Sequence, residues 1–275
     1  MKKFALIGSG IAGSLSPALF KAAYAGKWEY GLLDGPSFAP LLERFKAEYD
    51  AVNVTAPFKE EAYEAADFRT EEAELCGAAN ILLKDSKGRI TADNSDFEGV
   101  TLSLMSAYAV SGVDVDDEDA FDDFLLEKTA LVVGCGGAGK AAAAACITMG
   151  YGKTILINRT RSKADALARR LKSFYGDVSP EELEVRPWDA LEASFEEADA
   201  VIWAIPGSAG MKPAFKAAQE TKLILEADYK TPALEGAGGN YVSGLNWLMN
   251  QAVIGFESLT GQAPDEDALK EIQTI

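Results

Sequence analysis

The strongest constraint in this sequence is an apolar run that ends at a cluster of glycines. Leu131-Val132-Val133 leads directly into Gly134-Cys135-Gly136-Gly137-Ala138-Gly139-Lys140-Ala141. A strand feeding a glycine turn and then an alanine-rich helix opens a β-α-β unit, whose crossover returns the chain to the same sheet in parallel. Such glycines permit a tight turn and let the backbone approach a pyrophosphate at the helix N-terminus. A glycine-rich stretch alone also describes an ordinary turn. The strand before it and the helix after it supply the context of a dinucleotide site. Gly134, Gly136, Gly137, Ala138 and Gly139 are therefore candidate cofactor-binding residues.

The pattern that follows agrees. Strands are expected at Ala130–Val133, Thr154–Ile157, Ala200–Ile205 and Leu223–Ala227, with helices at Gly139–Met149 and Lys163–Tyr175. This alternation predicts a doubly wound parallel sheet. Its second strand ends in Asn158-Arg159-Thr160, with Lys163 close behind. A carboxylate at such a point would hold a ribose 2′-hydroxyl, whereas Arg159 would attract a 2′-phosphate. The cations favour NADP as cofactor; the alternative is a basic helix start on a solvated face.

The first half also alternates. Strands are expected at Phe4–Ser9, Tyr30–Leu33 and Ala51–Val54, with helices at Pro17–Ala25 and Pro40–Tyr49. Ala79–Leu83 and Arg89–Ala92 read as a strand pair around the turn Asp85-Ser86-Lys87-Gly88, and Phe97–Val110 as a long helix. Residues 114–123 carry seven acidic side chains and read as a solvated linker or surface insertion. The chain from Gly244 onward is helical in pattern. At 275 residues the sequence accommodates two domains, and the fold class expected is α/β.

Composition excludes several chemistries. The chain has no histidine, which removes His-based acid–base catalysis, His-ligated zinc and Ser-His-Asp hydrolysis. Its three cysteines show no metal-ligand or pairing pattern, and no metal is expected. A net charge of -17 disfavours nucleic acid and anionic membrane as partners. The apolar run within MKKFALIGSG is too short for a signal peptide core or a membrane span, so a cytoplasmic protein is expected.

Three polar segments remain. Ser14-Leu15-Ser16-Pro17 places two hydroxyls before a helix, as a carboxylate site or simply as a helix cap. Asn53-Val54-Thr55-Ala56-Pro57-Phe58-Lys59 puts polar residues at a strand end, then a proline turn and a lysine that would otherwise be a surface residue. Asp93-Asn94-Ser95-Asp96 follows another strand and also suits an N-cap.

Together these segments resemble the shikimate dehydrogenase family. NVTAPFK looks like that family's NVTxPFK, SLSP like SxSP, GAANIL at 77–82 like GAVNTL, and ADNSD at 92–96 like GDNTD. GCGGAGKA and INRT resemble its GxGGxxxA loop and NRT, and SGLNWLMNQA at 243–252 is similar to DGLGMLVAQA. Order and spacing agree over nearly the whole chain. The resemblance implies NADP-dependent hydride transfer between 3-dehydroshikimate and shikimate. Ser14 and Ser16 would hold the ring carboxylate, while Thr55, Asn80 and Gln251 would bond ring hydroxyls. Tyr229 would complete the substrate site and Gly244 would contact the nicotinamide region. Asn158, Arg159, Thr160 and Lys163 would join the glycine loop in holding NADP. Lys59 and Asp96 would flank the hydroxyl that is oxidised, in a cleft between the domains. Desolvation favours the neutral amine and a neighbouring carboxylate favours the ammonium, so the two are read as one acid–base unit.

By the same resemblance, residues 1–110 with 241–275 form an N-terminal α/β substrate domain, and 111–240 a Rossmann-type NADP domain. The protein would act on its small-molecule substrate as a monomer or homodimer. Departures cluster near the expected nicotinamide seat. Trp203-Ala204-Ile205, then Pro206, stands for Asn-Ala-Thr, and Asn246-Trp247 for Gly-Met. Gly13 replaces a histidine, and the segment 226–232 is short. Two alternatives follow: a dehydrogenase of quinate or another polyhydroxy ring acid, and a non-catalytic protein that binds a metabolite of the same pathway.

Overall fold

The structure is a computed structural model that describes residues 2–176, 182–207 and 218–273. It divides into two compact units, the first made of residues 1–96 and 249–275 and the second of 97–248.

In chain order the first unit runs β1 (Lys3–Gly8), α1 (Ser16–Ala23), β2 (Glu29–Asp34), α2 (Phe38–Glu48), β3 (Ala51–Val54), α3 (Lys59–Glu64), β4 (Phe68–Arg69), α4 (Glu71–Cys76), β5 (Ile81–Lys84) and β6 (Ile90–Asp93). Helix α5 (Ser95–Val110) then leads into the second unit. There follow α6 (Glu118–Leu126), β7 (Thr129–Val133), α7 (Gly137–Thr148), β8 (Lys153–Ile157), α8 (Arg161–Tyr175) and β9 (Leu183–Arg186). Next come α9 (Leu191–Glu197), β10 (Ala200–Trp203), β11 (Ala218–Glu226) and β12 (Gly238–Val242). Helix α10 (Gly244–Thr260) returns the chain to the first unit, which α11 (Glu266–Gln273) completes.

The first sheet has the order β2-β1-β3-β5-β6-β4. Strand β1 pairs in parallel with β2 and β3, β5 runs antiparallel to β3 and β6, and β4 is parallel to β6. Ile7, Leu33, Phe45, Val52 and Leu82 are fully buried in its core. Each such side chain contributes about 1.5–3 kcal/mol relative to exposure. The chain leaves β1 for β2 on one side and later enters β3 on the other, which makes a topological switch point between β1 and β3.

The second sheet has the order β12-β11-β10-β7-β8-β9, and all its pairs are parallel. Its central strands β7, β8 and β10 are buried almost throughout, which explains why they read as unbroken apolar runs, whereas the edge strands β9 and β12 are only partly buried. Helix α7 packs through Ala141, Ala142, Ala143, Ala144 and Ala145, all fully buried, so small side chains bring the helix close to the sheet. The switch point here lies between β7 and β10. The two-domain α/β architecture agrees with the expectation from sequence.

One segment differs. The acidic run 114–123 is not simply a linker, because α6 begins inside it. Asp117 accepts the Ala120 amide as N-cap at 3.2 Å, Glu118 and Asp119 occupy the first turn, and Phe121 and Leu125 are buried. Carboxylates suit a helix N-terminus, and the two apolar residues anchor the helix. Among the described residues, no helix is long and apolar enough to cross a membrane. Cys76, Cys135 and Cys146 are buried, free thiols.

Candidate active site

Loops leaving β1 and β3 meet at the first switch point. The Thr55 amide donates to Ile7 O at 2.8 Å, and the Ser9 amide to Ala56 O at 3.4 Å. Asp34, at the end of β2, accepts the Gly10 amide at 2.8 Å and the Ile11 amide at 3.2 Å, which pins the loop carrying Ser14. Because β5 is antiparallel to β3, the start of β5 lies beside the end of β3: Asn53 is in register with Ile81, and Ile81 with Asp93. The segments around Ser14, Thr55, Asn80 and Asp96 therefore share one edge of one sheet.

Local chemistry fixes each segment. Thr70 caps α4, accepting from the Ala73 amide at 3.3 Å, and Gly77 ends that helix in the left-handed region at φ 58°. The chain turns there into Ala78-Ala79-Asn80. The Ala79 amide donates to Lys59 O at 2.8 Å, and the Val54 amide to Asn80 O at 2.7 Å. Asn94 accepts the Asp96 amide at 3.0 Å and donates to Ala78 O at 2.8 Å, so it caps α5 and ties that cap to the Asn80 segment.

Lys59 opens α3 and Asp96 lies in the first turn of α5. Their side chains form a hydrogen-bonded ion pair, with 14% and 8% of side-chain surface exposed. A carboxylate at a helix N-terminus is favoured by the helix dipole, whereas an ammonium there is not, so Asp96 offsets the cost of placing Lys59. The pair is mostly withdrawn from water but still accessible, as proton exchange with a bound hydroxyl requires.

A polar chain runs alongside. Ser14 donates to Ser16 through their hydroxyls at 3.2 Å and also accepts the Ser16 amide at 3.2 Å. The start of α1 has no side-chain cap at Leu15, so both serines remain at the loop–helix junction. The Tyr30 hydroxyl contacts Ser16 and donates to Asn53 Oδ1 at 2.8 Å. Burial raises the Tyr30 phenol well above its usual range, and the Ser16 contact only partly opposes this. Asn80 Nδ2 donates to Ser95 Oγ at 3.0 Å and to Gln251 Oε1 at 3.2 Å, and Asn80 Oδ1 accepts the Ser95 amide at 2.9 Å. Gln251 is 171 residues from Asn80 in sequence and arrives on α10.

The second unit shows a nucleotide cradle. Gly134 has φ 101°, and a Cβ at Gly139 would lie 1.7 Å from Gly134 O, so only glycine fits there. A Cβ on Gly136 would meet nothing within 4 Å, which leaves that point open to a ligand. No side chain caps α7 at Gly136. Asn158 accepts the Cys135 amide at 3.0 Å and donates to Thr160 O at 2.8 Å, joining the glycine turn to the end of β8. Arg159, Thr160 and Lys163 are exposed at the start of α8. Arg161 pairs with Asp165 at 3.8 Å, whereas Arg159 makes no ion pair among the described residues. Cys135 is not a reactive thiol: burial pushes it up to about 12.

The family profile of the shikimate dehydrogenase substrate binding domain matches residues 6–82, and the profile of shikimate / quinate 5-dehydrogenase matches residues 118–222. The NADP(+) shikimate dehydrogenase of Caulobacter vibrioides is 32% identical over 94% of this chain and 89% of its own length. The chain belongs to the shikimate dehydrogenase family. The NADP(+) shikimate dehydrogenase of Cereibacter sphaeroides is 34% identical over 95% of this chain and 92% of its own length. A shikimate 5-dehydrogenase from Thermus thermophilus, solved with NADP(H) and shikimate, superposes with a TM-score of 0.72 at 26% identity, covering 98% of each chain.

As a member of the shikimate dehydrogenase family, the chain gathers Ser14, Ser16, Thr55, Lys59, Asn80, Asp96 and Gln251 in its first unit. Gly134 to Gly139, Asn158 to Thr160, Lys163, Tyr229 and Gly244 belong to the second. Gly244 starts α10, where a Cβ would lie 2.5 Å from the carbonyls of Glu226 and Ala227. The sequence assigns no role to Tyr30 and takes Asn53, Asn94 and Ser95 only as parts of motifs; the motif of Asn94 and Ser95 also suits an N-cap, which Asn94 provides. Asn53 and Ser95 carried one usable signal, polar side chains within or directly after apolar strands. Tyr30 carried none, since a tyrosine in a strand is ordinary core.

Proposed function

We propose that this chain catalyses the reversible, NADP-dependent reduction of 3-dehydroshikimate to shikimate. The observation that carries this reading is the Lys59–Asp96 pair at the same sheet edge as Ser14, Ser16, Asn80 and Gln251, in a chain whose relatives over nearly its full length are NADP(+) shikimate dehydrogenases.

The chemistry follows from the residues. The Ser14 and Ser16 hydroxyls hold the ring carboxylate, and Thr55, Asn80 and Gln251 orient the ring through its hydroxyls. In the reducing direction the Lys59 ammonium donates its proton to the carbonyl oxygen as hydride reaches the carbon. Lys59 is then neutral beside ionised Asp96, which holds the amine in place and restores the charged pair when a proton returns. In the oxidising direction neutral Lys59 takes the hydroxyl proton. No histidine is needed, and none is present. Bound NADP(H) supplies or receives the hydride. The glycine turn fits its pyrophosphate because the backbone at Gly136 is open, and exposed Arg159 and Lys163 suit a 2′-phosphate. In this reading residues 1–110 with 241–275 serve the substrate and 111–240 the cofactor. The three free, buried thiols accord with a reducing, cytoplasmic setting.

The test is an absorbance assay of the purified chain with shikimate or quinate and NADP+ or NAD+. Shikimate with NADP+ is expected to give the highest kcat/KM. Turnover of quinate alone would move the assignment to the related ring acid, and binding without turnover would make the chain a metabolite-binding protein.

A further inference from the structure

We propose that Asp228 is a positioning residue: it fastens the exits of β10 and β11 into one clasp against the glycine turn, and thereby sets the geometry of the cofactor site. The inference rests on the NADP reading above and adds a residue to it.

The location follows from topology. Strands β7 and β10 are neighbours across the switch point of the second sheet, and ligands of such sheets bind outside the carboxyl ends of the strands at that point. One wall is the glycine turn and the other is the β10 exit, residues 204–207. These walls touch: a Cβ on Gly134 would lie 3.1 Å from Ala204 O and from Ile205 Cγ1, and the Ala204 amide donates to Val133 O at 2.8 Å. A shift in residues 204–207 therefore changes the mouth of the cradle.

Asp228 controls that segment. Its Oδ2 accepts the Gly207 amide at 2.9 Å and the Thr231 hydroxyl at 2.9 Å, while Oδ1 accepts the amides of Lys230 at 2.9 Å and Thr231 at 3.2 Å. One carboxylate thus satisfies four donors from two separate loops. Burial opposes its ionisation, but these donors prevail and hold the carboxyl below its ordinary value. The loops are flush, since a Cβ on Gly207 would lie 1.6 Å from Thr231 O. Two residues earlier, fully buried Glu226 accepts the Ala233 amide at 2.6 Å, the Leu234 amide at 3.0 Å and the Tyr241 hydroxyl at 3.0 Å. The turn is therefore held by a carboxylate on each side of Ala227, and Tyr229 follows directly after the second. Two of the segments that depart from the family pattern, 203–206 and 226–232, are thus coupled by Asp228. The clasp gives the short second loop a fixed shape through side-chain bonds where backbone length is missing.

The experiment compares wild type with Asp228→Ala, Asp228→Asn and Thr231→Val by three measurements. Amide hydrogen exchange is followed in the cofactor-free protein, NADPH binding by fluorescence titration, and steady-state constants with shikimate and NADP+. In Asp228→Ala the Gly207 and Thr231 amides should exchange faster. The NADPH Kd should rise by about tenfold or more, because charge-assisted bonds are lost. The KM for shikimate should change less. Asp228→Asn keeps acceptor oxygen for only part of the donor set and should be intermediate. If Asp228→Ala fails to fold, Thr231→Val, which removes one donor, should still weaken NADPH binding by about threefold. An NADPH Kd within about twofold of wild type in Asp228→Ala, or in Thr231→Val if it alone folds, would overturn the clasp. A parallel loss of NADPH and shikimate binding would do the same. A wild type that oxidises no shikimate, with NADPH binding still weakened by Asp228→Ala, would overturn the dehydrogenase reading and leave the clasp standing.

Discussion

Lys59 and Asp96 form an ion pair although 37 residues separate them, because each lies in the first turn of a helix that follows a strand ending at the same edge of one sheet. If this pair moves the proton, Lys59→Ala should lower kcat more than it raises the shikimate KM, since its interaction strengthens in the transition state. A loss of about 10²–10⁴-fold is expected, the usual contribution of general acid–base catalysis. Steady-state kinetics in both directions provide the check, and near-normal kcat would refute the role.

Ser14 should behave differently. Its hydroxyl bonds Ser16 at the head of α1, and in the proposed reading the two hydroxyls hold a ring carboxylate, a contact nearly the same in ground and transition states. Ser14→Ala is expected to raise the shikimate KM by about tenfold while kcat stays within about threefold, corresponding to one charge-assisted bond. Equal losses in kcat and kcat/KM would show that the contact belongs to the transition state instead.

Arg159 is exposed and, among the described residues, makes no ion pair, so it is available to a 2′-phosphate. Arg159→Asp should weaken NADP+ by at least about tenfold relative to NAD+, by loss of a charge-assisted bond and addition of a repulsive charge. Parallel titrations with the two cofactors test this, and equal effects on both would exclude Arg159 as the discriminating group.

A pH effect is expected from a surface network at the edge of the second sheet. Arg186 pairs with Glu184 at 2.8 Å and with Glu197 at 2.6 Å, and Lys153 bonds both carboxylates. The bond to Arg186, opposed by burial and aided by Lys153, holds Glu184 at about 2 against an ordinary 4.5, and Glu197 is lowered by the same cations. A depressed carboxyl stabilises the fold above its unfolded value, so this contribution is complete above about pH 4.5 and disappears as pH falls through about 2. The carboxylates are about 40% exposed, and screening keeps the total near or below about 1 kcal/mol. The Tm difference between wild type and Arg186→Gln should therefore shrink from pH 7 to pH 2. A residue of it should persist, because the 3.1 Å bond from Arg186 to Ser194 does not titrate in this range.

Much of this protein was legible in the chain itself. The second sheet's central strands are buried almost throughout and appear as continuous apolar runs, so Leu131-Val132-Val133 and the glycines after it declared a parallel nucleotide fold through local chemistry. The resemblance placed Lys59 and Asp96 together from motifs that lie far apart in sequence. What tertiary structure decided is different in kind. Tyr30 between Ser16 and Asn53, Gln251 on Asn80, and Asp228 joining Gly207 to Thr231 all depend on strand order and on a helix returning from the far end of the chain. The helix at Glu118–Leu126 likewise depends on Phe121 and Leu125 finding buried positions, which a run of carboxylates does not reveal. Apolar periodicity and glycine are read locally because they act on the backbone within a few residues. The partner of a polar side chain is set by which loops the sheet brings side by side, and that is a property of the folded chain alone.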